Sequence, residues 1–190
     1  MLATDFQLGV WNAWVLVLFY FFVSILPLFF KRKQRDLAGI SPVNVEKNVY
    51  ARVNYWISFI LFILVFIVSV FIPMRVYSFW FYPGMVLYVV GMFFIVFAIH
   101  SWVITPEGDL ITGGIYRFSR NPMYVSMFFT HVGIGLVCVS WVFMLLTLVY
   151  IVVTMILVGY EEDFCRKRYG KSFDRYLAMA PRWFGIGKKR

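Results

Sequence analysis

The chain has 190 residues, 62% of them hydrophobic, and a mean hydropathy of +0.80. Soluble domains hold roughly half apolar residues, so this is an integral membrane protein, of a size for one compact bundle rather than two domains. Its net charge of +9 flanks hydrophobic runs, which argues against nucleic acid as a partner and for topology signals and anionic headgroups. Two cysteines, Cys138 and Cys165, without Cys/His spacing, argue against a disulfide framework or a metal centre.

The first predicted span runs from about Leu8 to Phe30 and is closed by the basic run KRKQR, Lys31 to Arg35. It is too long for a cleaved signal peptide and lacks the basic front and cleavage site of one. A polar segment follows to about Arg52. The second span covers roughly Val53 to Ile72, ending at Pro73, and the third about Ser78 to Ile99. A loop from His100 to Asn121 then collects Pro, Gly and charge. The apolar stretch Pro122 to Tyr160 is too long for one span at a rise of about 1.5 Å per residue. It predicts a helical hairpin turning near Gly135 to Ser140. In the tail, Cys165, Tyr169, Phe173, Tyr176 and Ala180 recur at steps of three and four, predicting an amphipathic helix lying on the headgroups.

The predicted fold class is therefore all-α: a polytopic membrane helical bundle of about five transmembrane helices, with four as the alternative. It is expected to form a single membrane domain, residues 1–100 supplying three spans and 101–190 the loop, the hairpin and the tail. Lys31, Arg32, Lys33, Arg35, Lys47 and Arg52 follow the first span, Arg117 and Arg120 the third, and nine more basic residues the last, leaving Arg75 for the other side. The positive-inside rule then puts the N-terminus outside and both the loop and the tail in the cytoplasm. Trp11, Trp14, Trp80, Tyr82 and Trp102 fall near span ends, as in an interfacial belt.

Several features depart from this apolar pattern. Glu161 and Glu162 end the last span, where the helix macrodipole prefers cations. Pairing with Arg117 and Arg120, or a ligand's positive centre or hydroxyl donors, would each offset the cost, and both accounts stay open. Gly108, Gly113 and Gly114 allow a tight turn or a close backbone approach to a ligand. Asn121 and Pro122 suit a helix start, as N-cap and first helical residue. That leaves Tyr116, Arg117, Arg120 and Tyr124 as an unexplained cluster. His131 lies about nine residues into the fourth span; it is a functional candidate by depth, or a neutral imidazole bonded between helices through Thr130 or a carbonyl. The chain has no GxSxG, HExxH or P-loop.

The runs GGIYRFSRNPMYV and YEEDF…RYGKSFDRYLAMAPRWF, separated by the hairpin, resemble the integral-membrane methyltransferases, which include isoprenylcysteine carboxyl methyltransferases and phospholipid N-methyltransferases. Their pattern is GxYxxxR-(H/N)-PxY, then a Glu pair and an FG-or-YG-xx-(Y/F)-xxY tail, and the likeness covers about Gly108 to Phe184. It implies a cytoplasm-facing site for S-adenosylmethionine: Leu110, Ile111 and Tyr116 from the loop, Arg120, Asn121, Pro122, Met123 and Tyr124 as a central wall, Glu161 and Glu162 closing it. Gly91 would admit the cofactor or a helix. A sulfonium attracts carboxylates and aromatic faces, and methyl transfer needs chiefly alignment and exclusion of water.

The implied acceptor is a lipid or lipidated molecule entering from the bilayer. Two departures bear on it: Asn121 occupies the position that is His in the carboxyl methylating enzymes, and MILVGY before the Glu pair lacks their Arg. A carboxylate would want such an Arg, so the expectation is a methyltransferase for a phospholipid amine, with Tyr124 and His131 as candidate catalytic residues. The alternatives are an isoprenylcysteine carboxyl or small-thiol methyltransferase, and a non-enzymatic transport or assembly protein.

Overall fold

Runs of Val, Ile, Leu and Phe leave the backbone no water to bond with inside a bilayer, so it closes its hydrogen bonds within helices. In the computed structural model, which describes residues 8–25, 49–106 and 108–185, six α-helices account for most of those residues. They are α1 (Trp14–Ile25), α2 (Val49–Phe71), α3 (Phe81–Ile104), α4 (Pro122–Cys138), α5 (Trp141–Tyr169) and α6 (Lys171–Met179), with a 3-10 turn at Gly114–Arg117. Helices α2, α3 and α5 are each long and apolar enough to cross a membrane; α1 and α4 are shorter apolar helices. The architecture is an all-helical membrane bundle.

Element boundaries move for identifiable reasons. Helix α1 starts at Trp14 instead of Leu8 because the chain before it pairs antiparallel with the end of α2: Ala13 N donates to Ile72 O (2.9 Å), Met74 N to Trp11 O (3.1 Å) and Asn12 Nδ2 to Val70 O (2.7 Å). The end of the first predicted span and the KRKQR run lie outside the described residues. Helix α3 continues to Ile104, through what the sequence marks as loop. There Ser101 Oγ donates to Phe97 O (2.9 Å) and Thr105 Oγ1 to Ser101 O (2.7 Å), local bonds that let hydroxyl residues stay helical.

The hairpin turns at Val139 and Ser140, inside the predicted window. Val139 takes a left-handed conformation (φ 49°), Ser140 N donates to Gly135 O (3.2 Å), and Ser140 Oγ caps α5 by accepting from Phe143 N (3.3 Å).

The tail is two helices rather than one. Helix α5 runs on to Tyr169, and Gly170 stops it at φ 52°, ψ −129°, a conformation open to glycine alone. The periodic positions still converge: Phe173, Tyr176 and Ala180 are buried against Cys165, Tyr169, Leu110, Tyr116 and Leu177. The apolar face of α6 is thus turned onto the 108–117 loop, and burying each of its two aromatic rings contributes about 2 kcal/mol.

Helices α3 and α4 make the closest packing in the bundle, and small residues permit it. A Cβ on Gly84 would lie 2.7 Å from Gly133 O, and one on Gly91 2.8 Å from Ser126 O and 2.6 Å from Thr130 Cγ2. Two contacts two turns apart, on antiparallel helices, lock the register, and Ser126 Oγ donates to Gly91 O (2.8 Å) between them. Gly91 therefore admits a helix. Tyr88 Oη, donating to Leu16 O (2.9 Å), ties α1 to α3. This core fixes where α4 begins, and so where the polar knuckle before Pro122 sits.

Candidate functional site

At the end of the bundle where α4 begins and α5 loses its apolar character, a cavity of about 380 Å³ opens between five of the helices and the loop. Helix α1 contributes Tyr20 and Ser24, α3 contributes Ile95 and Trp102, and the loop contributes Asp109, Leu110, Ile111 and Tyr116. Residues Arg120–Tyr124 and Met127 form one wall, while Glu161, Glu162, Phe164, Cys165 and Tyr169 of α5 form the facing one. Phe173 and Tyr176 of α6 close it. Leu110, Ile111, Tyr116, Arg120, Asn121, Pro122, Met123, Tyr124, Glu161 and Glu162 all lie on this one surface.

The two glutamates have different surroundings. Glu162 accepts from Arg120 Nε (3.2 Å) and Asn121 Nδ2 (3.3 Å), and its other oxygen lies 3.3 Å from Arg182 Nε, a charge contact without hydrogen-bond alignment. Arg120 Nη1 also donates to Leu177 O (3.1 Å) and Ala180 O (2.9 Å). Glu162 therefore belongs to a neutralised cluster that fastens the tail to the knuckle. Glu161 accepts one bond, from Tyr124 Oη at 2.8 Å, and has no ion pair among the described residues. Of the two open accounts of the Glu pair, protein pairing describes Glu162, and Glu161 is left facing the cavity without a counter-charge. Arg182, not Arg117, is the second arginine of the cluster.

Asn121 precedes α4 but its side chain caps nothing. Pro122 fills the first helical position, Ser119 Oγ accepts from Asn121 N (3.0 Å), and the amide instead donates to Glu162 and to Arg182 O (3.1 Å). The tail is held further by Arg120 N to Pro181 O (2.9 Å), Gly185 N to Phe118 O (3.1 Å) and Tyr176 Oη to Tyr116 O (2.8 Å). In the loop, Gly108 and Gly114 take positive φ (89° and 58°), and a Cβ on Gly114 would collide with Ser101 Oγ. Those turns carry Leu110, Ile111 and Tyr116 to the cavity wall. Burial raises the Tyr116 phenol well above its ordinary pKa, with the charge of Glu161 adding to the effect. Burial, and then Tyr116 beside it, does the same for Tyr176. Both phenols stay neutral across the physiological range.

His131 is buried in the bundle but is not part of the cavity wall. Its Nδ1 lies 2.9 Å from Met127 O, a carbonyl of its own helix one turn earlier rather than of another helix, so Nδ1 carries the proton. Its ring meets Tyr20 and Tyr150 edge-on (centroids 5.8 and 5.7 Å), and Nε2 has no hydrogen-bond partner among the described residues. Trp102, placed by sequence in an interfacial belt, is 6% exposed and lines the cavity. Tyr20 and Ser24 had no sequence signal, since their span is distinguished by hydrophobicity alone. Arg182 had only its place in the quoted APRWF run.

The site thus combines an uncompensated carboxylate and aromatic rings with the apolar and hydroxyl groups of Tyr20, Ser24, Ile95 and Met127 on one cavity surface. A comparison with curated proteins gives no match. The profile of one family, described as phospholipid methyltransferase, matches residues 53–172. That segment is more than half of the chain and runs from α2 into the first turn of α6, including the knuckle and both glutamates. The chain belongs to the phospholipid methyltransferase family.

Proposed function

We propose that the protein uses S-adenosylmethionine to methylate the amine of a membrane phospholipid. Glu161 carries the reading: a carboxylate on a cavity wall, bonded to a phenol and free of arginine, suits a ligand with a positive centre. A sulfonium and a protonated amine both qualify, and the cavity wall offers both polar-aromatic and apolar surface to receive them. Bound there, S-adenosylmethionine would supply the methyl group, its S–C bond breaking as the N–C bond to the acceptor forms.

The protein's own part is mostly placement. Glu162, neutralised by Arg120 and Arg182, keeps the knuckle and tail in place around the cavity. Phe173, Tyr176 and Leu110 exclude water, which strengthens charge interactions inside. A phospholipid ammonium must shed a proton before its nitrogen can attack. Glu161, oriented by Tyr124 Oη, accepts it, with the pair acting as general base. His131 has no proton-transfer role in this reading, because its ring is not on the cavity wall. Arg120 is the one cation on the cavity wall among the described residues, and Glu162 and two carbonyls engage it, so a carboxylate acceptor would find no partner.

The accompanying topology is a single membrane domain with the N-terminus outside and the cavity opening to the cytoplasm. The test is to incubate the protein in bilayers with methyl-labelled cofactor, extract the lipids and identify the labelled species by mass. Label in an amine headgroup is expected. Label in a methyl ester or a thioether overturns the amine assignment, and no transfer to any lipid overturns the function.

A further inference from the structure

The positive charges around the α5–α6 junction are unevenly compensated. Arg166 is paired with Asp163 (3.8 Å) and Asp174 (3.2 Å). Lys167, Arg168, Lys171 and Arg175 are exposed and form no ion pair among the described residues. Arg168 lies over the Tyr169 ring (5.5 Å), but four cations without a carboxylate partner between residues 167 and 175 repel one another unless an external anion offsets them.

The other face of the same segment closes the cavity. Phe173 and Tyr176 are buried and line it, while Tyr176 Oη and the carbonyls of Leu177 and Ala180 take the bonds that hold α6 down. Helix α6 is a cover with an apolar underside and a basic outer surface, joined to α5 through Gly170. Its depth also follows from α5. The 20 residues Trp141–Tyr160 rise about 30 Å, the thickness of the hydrocarbon core. Lys167 lies about 10 Å further on, a few ångströms beyond a headgroup layer of about 5–7 Å, a distance that snorkelling Lys and Arg stems can bridge.

We propose that the surface formed by Lys167, Arg168, Lys171 and Arg175 docks on anionic phospholipid headgroups of the surrounding leaflet, and that this contact holds α6 closed over the cavity. Cofactor affinity then rises with the negative charge of the membrane. The coupling rests on the cavity being the cofactor site; the docking itself does not. The underside of α6 gains nothing from the lipid directly, but every headgroup contact made only in the closed position shifts the cover toward closure. A Lys or Arg beside an anionic surface strengthens association roughly fivefold at best. Four of them, partly shared with the open position, leave an expected gain in affinity of about tenfold.

The full chain would be placed in nanodiscs of phosphatidylcholine alone, or with about 30 mol % phosphatidylglycerol, and S-adenosylhomocysteine binding measured by calorimetry. Binding about tenfold tighter in the anionic discs is expected, with the difference vanishing at high salt. The variant Lys167→Gln/Arg168→Gln/Lys171→Gln/Arg175→Gln should keep the neutral-disc affinity and lose the gain. Equal affinity in both discs, or a gain retained by the variant, overturns the coupling. Hydrogen exchange of the α6 amides in the same discs needs no cofactor. Slower exchange in anionic discs, abolished in the variant, supports the docking, and equal exchange overturns it. Protein that shows the exchange difference but binds no cofactor in either disc refutes the cofactor assignment while leaving the docking intact.

Discussion

Two adjacent glutamates of the same type should fail in opposite ways when each loses its charge. Glu162→Gln removes the counter-charge of Arg120 and Arg182 from a cluster where Arg120 and Glu162 are 13% and 19% exposed. Exposed pairs contribute about 0–1 kcal/mol, whereas breaking a buried pair costs about 3–5; this pair lies between, so the loss should be about 2 kcal/mol. For a chain of this length that lowers Tm by roughly 5 °C. Glu161→Gln keeps an oxygen to accept from Tyr124 Oη and strands no arginine, so stability should stay within about 0.5 kcal/mol of wild type. Its effect should fall on ligands. A cation near an uncompensated carboxylate gains at most about 4 kcal/mol at an effective dielectric of about 20. Partial exposure reduces this to about 2, or roughly thirtyfold in affinity. Sinefungin, whose amine carries the charge that the thioether of S-adenosylhomocysteine lacks, should lose that factor, and S-adenosylhomocysteine much less. Thermal shift and calorimetry on both variants read all four quantities. The reasoning is refuted if the two variants lower Tm alike and weaken both ligands alike.

Other expectations are as direct. Tyr124→Phe removes the hydroxyl that orients Glu161 and should lower kcat about 10- to 100-fold while leaving the KM for the cofactor within a few-fold, as steady-state kinetics would show. Tyr176→Phe deletes the bond to Tyr116 O, costing about 1 kcal/mol and weakening cofactor binding several-fold. A matching loss of Tm would be seen by thermal shift. Gly91→Val drives methyls into Ser126 and Thr130, so it should destabilise the bundle by about 2–3 kcal/mol and separate α3 from α4, measurable as lost thermal stability and lost cofactor binding together.

Much of this site is legible in the sequence because its parts are local. Pro122 after Asn121 marks a helix start, the charge-free stretch to Tyr160 forces a hairpin, and every residue carried over from the two motifs reaches the same cavity. What escapes are pairings across long separations. Asn121 reads as a cap because that is its commonest local use, yet a carboxylate 41 residues away and a tail carbonyl 61 away outcompete its own helix. Arg182 is invisible for the same reason. Tyr20 and Ser24 sit in a span whose pattern announces only lipid, and Trp102 matches the belt by composition until α3 proves to continue past it. The tail periodicity runs across Gly170 because the break preserves the side on which the apolar residues converge.

As one arm of the expected membrane hairpin, helix α4 has 17 residues and so rises about 25 Å, about 5 Å less than the hydrocarbon core. It shares its turn with α5, which needs residues up to Tyr160 to span the full thickness, so the Asn121 end stops short of the level that α5 reaches. The bilayer must thin or dimple beside α4, at a cost of fractions of a kcal/mol per ångström. On the proposed function, a lipid in that depression has its headgroup lowered toward Tyr124, whose hydroxyl bonds Glu161, while its acyl chains stay in the membrane. Bilayer thickness thereby becomes a determinant of turnover: longer acyl chains deepen the mismatch and should slow the enzyme without changing a single contact to the cofactor.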